Sequence, residues 1–442
     1  MAGEWTTFRL GDVCSKIGSG ATPRGGSSVY LEQGEFALIR SQNIYNDGFH
    51  HNGVTYLTQE HAAELANAEV TARDVLLNIT GDSVARSCQV DPDILPARVN
   101  QHVAIIRPDP TVLWPRFLRY ALISPTMQAE MLSLAGAGAT RNALTKGMIE
   151  SFNVPAPKDV HEQRAIAHIL GTLDDKIELN RRMNETLEAM VRALFKSWFV
   201  DFDPVRAKAE GRDPGIPKPL ADLFPGRLVD SELGEIPEGW AVKPLRDLTD
   251  YLSRGIGPAY IETGGICVLN QKCIRDRRID FAKARLHDEE KKPTDGRLLQ
   301  RLDVLVNSTG VGTLGRAAQL WHVPEPAIVD SHVSVLRAAP GVDPWFFGVG
   351  LTGREGEIEA LGEGSTGQTE LSRLRLGNLA CLAPPSEIQM QFGFAAERLL
   401  GRLSNAQQES ETMGVLRDAL LPKLISGELR VKDAARFVGV TV

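Results

Sequence analysis

The chain of 442 residues is poor in the features that mark several broad classes of protein. Its five cysteines, Cys14, Cys88, Cys267, Cys273 and Cys381, are odd in number and form no C-x-x-C pair. That pattern argues against a disulfide framework and against a metal site, and it fits a reducing cytoplasm. No run approaches the roughly 18 apolar residues of a membrane span, and MAGEWTTFRL does not read as a signal peptide. There is no Walker loop, no G-x-S-x-G and no H-E-x-x-H, so the common hydrolase and nucleotide sites are missing. Net charge is −7, which argues against an all-over basic nucleic-acid binder but leaves room for a basic face balanced by acidic surfaces.

What is present is periodicity. From Glu162 to Phe199 there is no proline and one glycine, Gly171. Steps of four and three connect Ile166, Leu170, Leu173, Ile177, Asn180, Asn184, Leu187, Val191, Leu194 and Trp198, a heptad seam that predicts one long helix packed on a partner. The two asparagines lower stability but fix register. The expected partner runs from Glu387 to Leu421, with Ile388, Phe392, Ala395, Leu399, Ala406, Met413, Leu416 and Leu420 in its seam and Pro422 as its expected end.

Two such helices suggest a duplication, and the rest of the chain supports it. Trp5 and Trp240 open similar stretches. ALIRSQNI (37–44) matches CVLNQKCI (267–274), DVLLNITG (74–81) matches DVLVNSTG (303–310), and NQHVAIIRP (100–108) matches DSHVSVLRA (330–338). Trp114 with Phe117 is paired with Trp345 and Phe347. Loops rich in glycine and threonine (136–145 and 362–371) precede strands that end in prolines, FNVPAP and LACLAPP. Residues 203–239, rich in proline and glycine, read as a connector. Two globular halves with antiparallel helices and a pseudo-twofold relation suit a pseudo-twofold ligand such as duplex DNA.

Two glycine patterns point elsewhere and are weak. GVGTLG (310–315) is a formal G-x-G-x-x-G, but a dinucleotide site needs a helix to start there, and Pro324 and Pro326 leave little room. FFGVG (346–350) resembles the loop that binds S-adenosylmethionine in methyltransferases, but its counterpart after Phe117 has no glycine. His102 and His332 fall at equivalent repeat positions, inside expected strands, and suit a structural or DNA-facing role.

Reading bases needs forked donors and acceptors. The candidates at strand exits and loop tips are Lys16, Thr22, Arg24, Arg40, Gln42, Asn43, Arg86, Gln101, Thr140, Arg141, Asn142 and Lys146 in the first half. In the second they are Arg254, Tyr260, Asn270, Gln271, Lys272, Arg275, Arg316, Ser331, Thr366, Gln368 and Thr369.

Taken together, the paired starts (Trp5, Leu10, Asp12; Trp240, Leu245, Asp247), the proline-ended strands before EQRAIAHIL and EIQMQFGFA, and the tails LFKSWFVDFDPV and LLPKLISGELRV resemble the specificity subunit of a type I restriction–modification system over the whole chain. Ile388, between Glu387 and Gln389, departs from the P-x-x-E-Q start common in that family. The resemblance implies an α+β fold of two pseudo-twofold-related α/β target-recognition domains separated by two long antiparallel coiled-coil helices. The expected boundaries are 1–159 and 237–385 for the recognition domains, 160–202 and 386–430 for the helices, and 203–236 for the connector. It further implies a non-catalytic subunit that binds double-stranded DNA. Each domain would read half of an interrupted target, and the helices would set the gap and seat two modification subunits. No cofactor is implied in this chain. S-adenosylmethionine would belong to the modification subunits, and ATP and Mg²⁺ to the restriction subunits.

Overall fold

The computed structural model describes residues 4–136, 142–323, 326–364, 369–431 and 433. It divides into two compact units. Unit 1 holds Met1–Arg181 with Gln408–Val442, and unit 2 holds Arg182–Gln407.

In unit 1 the stretch VLLN (Val75–Asn78) is wholly buried because it is covered on both faces. Val75 and Leu77 face a core that contains Phe117, Tyr120, Ile166, Leu170 and Leu424. Leu76 faces a second core with Leu38, Val103 and Ile105. The strand lies in an antiparallel sheet ordered Cys14–Ser19, Val103–Pro108, Val75–Asn78, Ser87–Gln89. A second sheet is ordered Thr55–Leu57, Phe36–Ile39, Ala97–Val99, Glu69–Val70, and its middle pair is parallel, from Ala37↔Ala97 to Ile39↔Val99. Trp5–Arg9 pairs with Asn153–Pro157 ahead of the first long helix.

Unit 2 repeats this plan. Its antiparallel sheet runs Thr249–Arg254, Val333–Ala338, Val304–Asn307, Ala317–Gln319. Its second sheet again contains a parallel pair, Cys267↔Ala327 to Leu269↔Val329. The copies agree in detail. Each first strand carries a bulge, between Cys14 and Lys16 and between Thr249 and Tyr251. Buried Asp74 accepts from Arg107 at 2.7 and 2.8 Å, as buried Asp303 does from Arg337 at 2.8 Å twice. After each first strand the chain passes so close to its neighbour that a Cβ on Gly20 would lie 1.7 Å from the Val99 carbonyl oxygen. One on Gly255 would lie 2.0 Å from that of Val329.

The long helices are Val160–Phe199 and Ser386–Ile425, 40 residues each. Each contributes one part to each unit, and within each unit the two parts run antiparallel. In unit 1, Asp174 meets Arg417 and Asn180 meets Glu409 and Ser410. In unit 2, Phe195 and Trp198 meet Phe392 edge to face, at 5.5 and 6.3 Å between ring centroids. Gln163 and Gln389 hold the same place in the two helices. Gln163 Oε1 accepts from the Trp114 amide and Gln389 Oε1 from that of Asp343. Their amide nitrogens donate to the carbonyls of Pro157 and Pro384 respectively.

The structure corrects several expectations. The buried stripe of the second helix runs Ile388, Phe392, Ala396, Leu400, Leu403, Ala406, so Ala395 and Leu399 sit at its margin. Steps of four keep the aromatic cluster filled where the expected heptad would have rotated away. Pro422 lies inside the helix, which continues to Ile425, because a proline near a helix end removes one amide from a turn that is already fraying. Trp114 corresponds to Asp343, not Trp345: each precedes the proline that starts a short helix, Pro115–Leu122 or Pro344–Thr352. The connector is folded. It holds helix Asp203–Ala209 and the hairpin Leu228–Ser231 with Gly234–Pro237. Phe202, Val205, Phe224 and Ile236 share the core of unit 2 with Trp198 and Phe392.

Asp174 ties together three elements of unit 1. Its carboxylate accepts from Arg119 at 2.5 Å, from the Tyr120 hydroxyl at 2.6 Å and from Arg417 at 2.9 Å. Burial alone would push this carboxyl up, but Arg119, Tyr120 and Arg417 outweigh it and hold the group below its ordinary value. Counting from Gln163 and Gln389, Leu400 stands in unit 2 where Asp174 stands in unit 1, and Val191 where Arg417 does. Both are buried.

Candidate nucleic-acid interface

Four segments converge at one end of each antiparallel sheet. The first is the exit of the buried central strand, Ile79–Thr80 or Ser308–Thr309. The second is the turn between paired strands that carries His102 or His332. These histidines lie in the turns, not inside strands as expected. Asn100 and Asp330 hold those turns, each accepting from the histidine amide, at 3.0 and 2.9 Å. Both are buried, so the turn geometry is set from beneath. The Ile79 amide donates to the His102 carbonyl and that of Ser308 to His332, which brings threonine and histidine side by side. The hydroxyls meet the rings: Thr80 Oγ1 is 2.7 Å from His102 Nδ1, and Thr309 Oγ1 is 2.8 Å from His332 Nδ1.

The third segment is a short turn, Ser41–Asn43 or Gln271–Cys273, anchored by a buried asparagine of the central strand. Asn78 donates to the Ser41 carbonyl at 2.8 Å and Asn307 to that of Gln271 at 3.1 Å. The fourth is the far end of the glycine- and threonine-rich loop. Thr80 bridges Ala143, and Thr309 bridges Glu370.

Several expected residues gather here. Gln101 is exposed on the histidine turn, and Thr22 donates to it at 2.5 Å. Gln42 is exposed and donates to the Gly53 carbonyl, as Arg40 does. Exposed Asn142 accepts the Gly81 amide through its carbonyl. In unit 2, Ser331 and Lys272 are exposed, and Gln271 faces Thr309. Arg254 lies at this end of its strand and ties the loop through Glu370 and the Leu371 carbonyl. Arg316 donates to the Gly312 carbonyl, and Thr369 is half-buried next to Glu370. Arg24 is exposed on the loop after the first strand. Arg86 lies 4.7 Å over the Tyr45 ring, half-buried.

Others have different employment. Asn43 is fully buried. Its oxygen accepts from the Arg40 amide and its nitrogen donates to the carbonyls of His50 and Asn52, so it shapes the turn and does not face a ligand. Asn270 likewise caps the corresponding turn, accepting from Lys272 and donating to the Lys283 carbonyl. Lys16 pairs in register with Arg107, at the far end of its strand from His102. It donates to the Glu69 carbonyl, and burial and Arg107 lower its pKa below the ordinary lysine value. Lys146 pairs with Glu150 on its own helix. Tyr260 packs beneath the Arg285 guanidinium, and Arg275 pairs with Asp276 at the tip of a hairpin. Thr140, Arg141, Thr366 and Gln368 lie outside the described residues.

Thr80 and Thr309 were not among the expected base readers, and His102 and His332 were expected to be structural or DNA-facing. Their signal was in the sequence: threonine and histidine stay fixed while the residue between the buried Asx and the histidine changes from Gln101 to Ser331.

The glycine motifs resolve into ordinary structure. GVGTLG is a reverse turn between strands, with positive φ at Gly310, Gly312 and Gly315, and no helix starts there. FFGVG lies within helix Pro344–Thr352, where Gly348 packs on Gln319 and Gly350 on Phe195. Burial pushes the Cys14 and Cys88 thiols up to about 12, the opposite of an activated nucleophile. Among the described residues, no group of three or more His, Cys, Asp or Glu is placed to hold a metal, and no helix is long and apolar enough to cross a membrane.

Residues 2–189 match the family model of the type I restriction modification DNA specificity domain. The chain is 31% identical over 237 residues to the HindI specificity subunit of a Haemophilus influenzae type I restriction enzyme. That match spans 53% of this chain and about half of the relative, 49%. It is 26% identical over 357 residues to the MjaIX specificity subunit of Methanocaldococcus jannaschii, covering 76% of this chain and 74% of the relative. The crystal structure of the S subunit of a type I restriction-modification system from M. genitalium shares the fold, with a TM-score of 0.59 over 96% of both chains at 14% identity.

Proposed function

We propose, from the match of residues 2–189 to the type I restriction modification DNA specificity domain, that the chain is the non-catalytic DNA-reading subunit of a restriction–modification complex. In this reading residues 1–159 and 237–385 each read one half of an interrupted duplex target. The helical segments 160–202 and 386–430 set the gap, and 203–236 joins the halves. The observation that carries the reading is the duplicated polar end of the two sheets. Four segments converge there twice, on the same scaffold, with different side chains at the exposed positions. One architecture that presents two chemistries is what a two-part, non-palindromic DNA site requires.

The proposed DNA-facing set is Thr22, Arg24, Arg40, Gln42, Arg86, Gln101 and Asn142 with the Gly136–Thr145 loop, and Arg254, Gln271, Lys272, Arg316, Ser331 and Thr369 in the second half. Lysines and arginines among them position the backbone, and the amides and hydroxyls read base edges. Partners are two modification subunits, which methylate adenine using S-adenosylmethionine, and restriction subunits that use ATP and Mg²⁺. The complex works in the cytoplasm. The test is co-expression with the neighbouring modification subunit in a host free of adenine methylation, followed by genome-wide mapping of modified adenines. An interrupted two-part motif is expected. A stable complex that modifies nothing refutes the reading.

A further inference from the structure

The two Thr–His pairs are built alike but finish differently at the outer ring nitrogen of the histidine. In unit 1 the contacts start at Thr22, whose hydroxyl donates to Gln101 Oε1. The Gln101 amide nitrogen then faces His102 Nε2 at 3.1 Å. An amide nitrogen only donates, so Nε2 accepts and the ring proton sits on Nδ1. Nδ1–H therefore donates to Thr80 Oγ1. This leaves two donors at the surface, the Thr80 hydroxyl hydrogen and the second amide hydrogen of Gln101.

In unit 2 the residue corresponding to Gln101 is Ser331. Thr309 Oγ1 lies 2.8 Å from His332 Nδ1 and 3.5 Å from Gln271 Oε1, so the histidine is its near partner. His332 is exposed, and among the described residues its ring hydrogen bond is the one that Nδ1 makes with Thr309. Its Nε2 is left open on a ring held by Thr309 and by the Asp330-held turn.

We propose that Thr80–His102 and Thr309–His332 are the base-contacting centres of the two recognition domains and that they present different groups to DNA. The first offers the Gln101 amide beside the Thr80 hydroxyl, which suits acceptor edges such as guanine O6 and N7 or thymine O4. The second offers the open ring nitrogen of His332, so the two centres read different base edges. The assignment rests on the DNA-reading function proposed above.

The experiment uses the full chain co-expressed with its modification subunit, and reads base frequencies across the modified motif. Thr80→Val keeps the shape and removes the outward donor. It is expected to lower discrimination at one base pair of one half-site on the order of ten-fold and leave the other half-site as it was. His332→Phe is expected to do the same at one position of the other half-site. The untouched half-site in each variant reports that the chain has folded. If T80V abolishes all methylation, Thr80→Ser decides: it keeps the donor and is expected to restore the original motif, and a relaxed motif from T80S overturns the assignment. Unchanged base frequencies in both T80V and H332F overturn the assignment alone. Absence of any interrupted motif from the unsubstituted complex overturns the DNA reading itself, and this assignment with it.

Discussion

Replacing Asp174 by alanine removes a carboxylate that joins three elements of unit 1: the short helix with Arg119 and Tyr120, the first long helix, and Arg417 of the second. Arg119 is 5% exposed, and the Arg417 side chain is 16% exposed. Breaking a buried ion pair from one side costs about 3–5 kcal/mol, because the cation left behind has lost its water and now its partner. Two facts place this case near the low end. Arg119 still donates to the Asn46 carbonyl at 2.7 Å, and Arg417 still holds Asp418 at 2.7 Å. About 3 kcal/mol is therefore expected for D174A, measured as the shift in the urea transition of the full chain by circular dichroism.

Unit 2 shows how the same position is filled without charge, with Leu400 and Val191. The combined change Asp174→Leu, Arg417→Val and Arg119→Met is therefore expected to return stability to within about 1 kcal/mol of the original chain, since apolar packing often replaces a buried ion pair at no loss. Acid adds a check of sign. The folded carboxyl is held below its unfolded value, so its contribution is present above about pH 4 and is lost as pH falls through the lower folded value. The difference between D174A and the original chain should close in that acidic window and stay constant from pH 5 to 8. A D174A penalty below about 1 kcal/mol at neutral pH, or one that grows on acidification, refutes the reasoning.

Three further outcomes are expected. Gly20→Ala and Gly255→Ala each set a methyl group against a neighbouring carbonyl, 1.7 and 2.0 Å away before relaxation, and should each destabilise by about 2–3 kcal/mol or more in urea titrations. Asn180→Leu puts an apolar residue in a buried seam position that now bonds Glu409 and Ser410. It should raise the thermal midpoint while admitting other helix pairings, seen as oligomers by light scattering after gel filtration. Four residues inserted in both long helices, about 6 Å of rise, should change the gap in the modified motif and leave both half-sites intact. A changed half-site would show that the helices do more than set distance.

Much of this architecture was legible because it is written in local periodicity and in repetition. The seam from Ile166 to Trp198 marks a helix, since residues three and four apart share a face, and the structure buries most of that seam. The pairs DVLLNITG/DVLVNSTG and NQHVAIIRP/DSHVSVLRA place central strands in both halves, because strands covered on both faces must read as unbroken apolar runs. Tertiary structure decided what depends on residues distant in sequence. The expected seam at Ala395 and Leu399 gave way to Ala396 and Leu400, because the aromatic cluster around Phe195, Phe199 and Phe346 sets where the second helix turns. Asn43 and Gln42 are neighbours of similar chemistry. Only the fold shows that Asn43 satisfies three backbone groups inside the turn while Gln42 stays exposed. The sequence alone therefore determined the elements and their duplication. Which polar side chains remain available to a ligand was decided by hydrogen bonds that only the fold closes, Asn43 with the His50 carbonyl and Asn270 with that of Lys283 among them, because a donor already satisfied within the fold has nothing left to offer outside it.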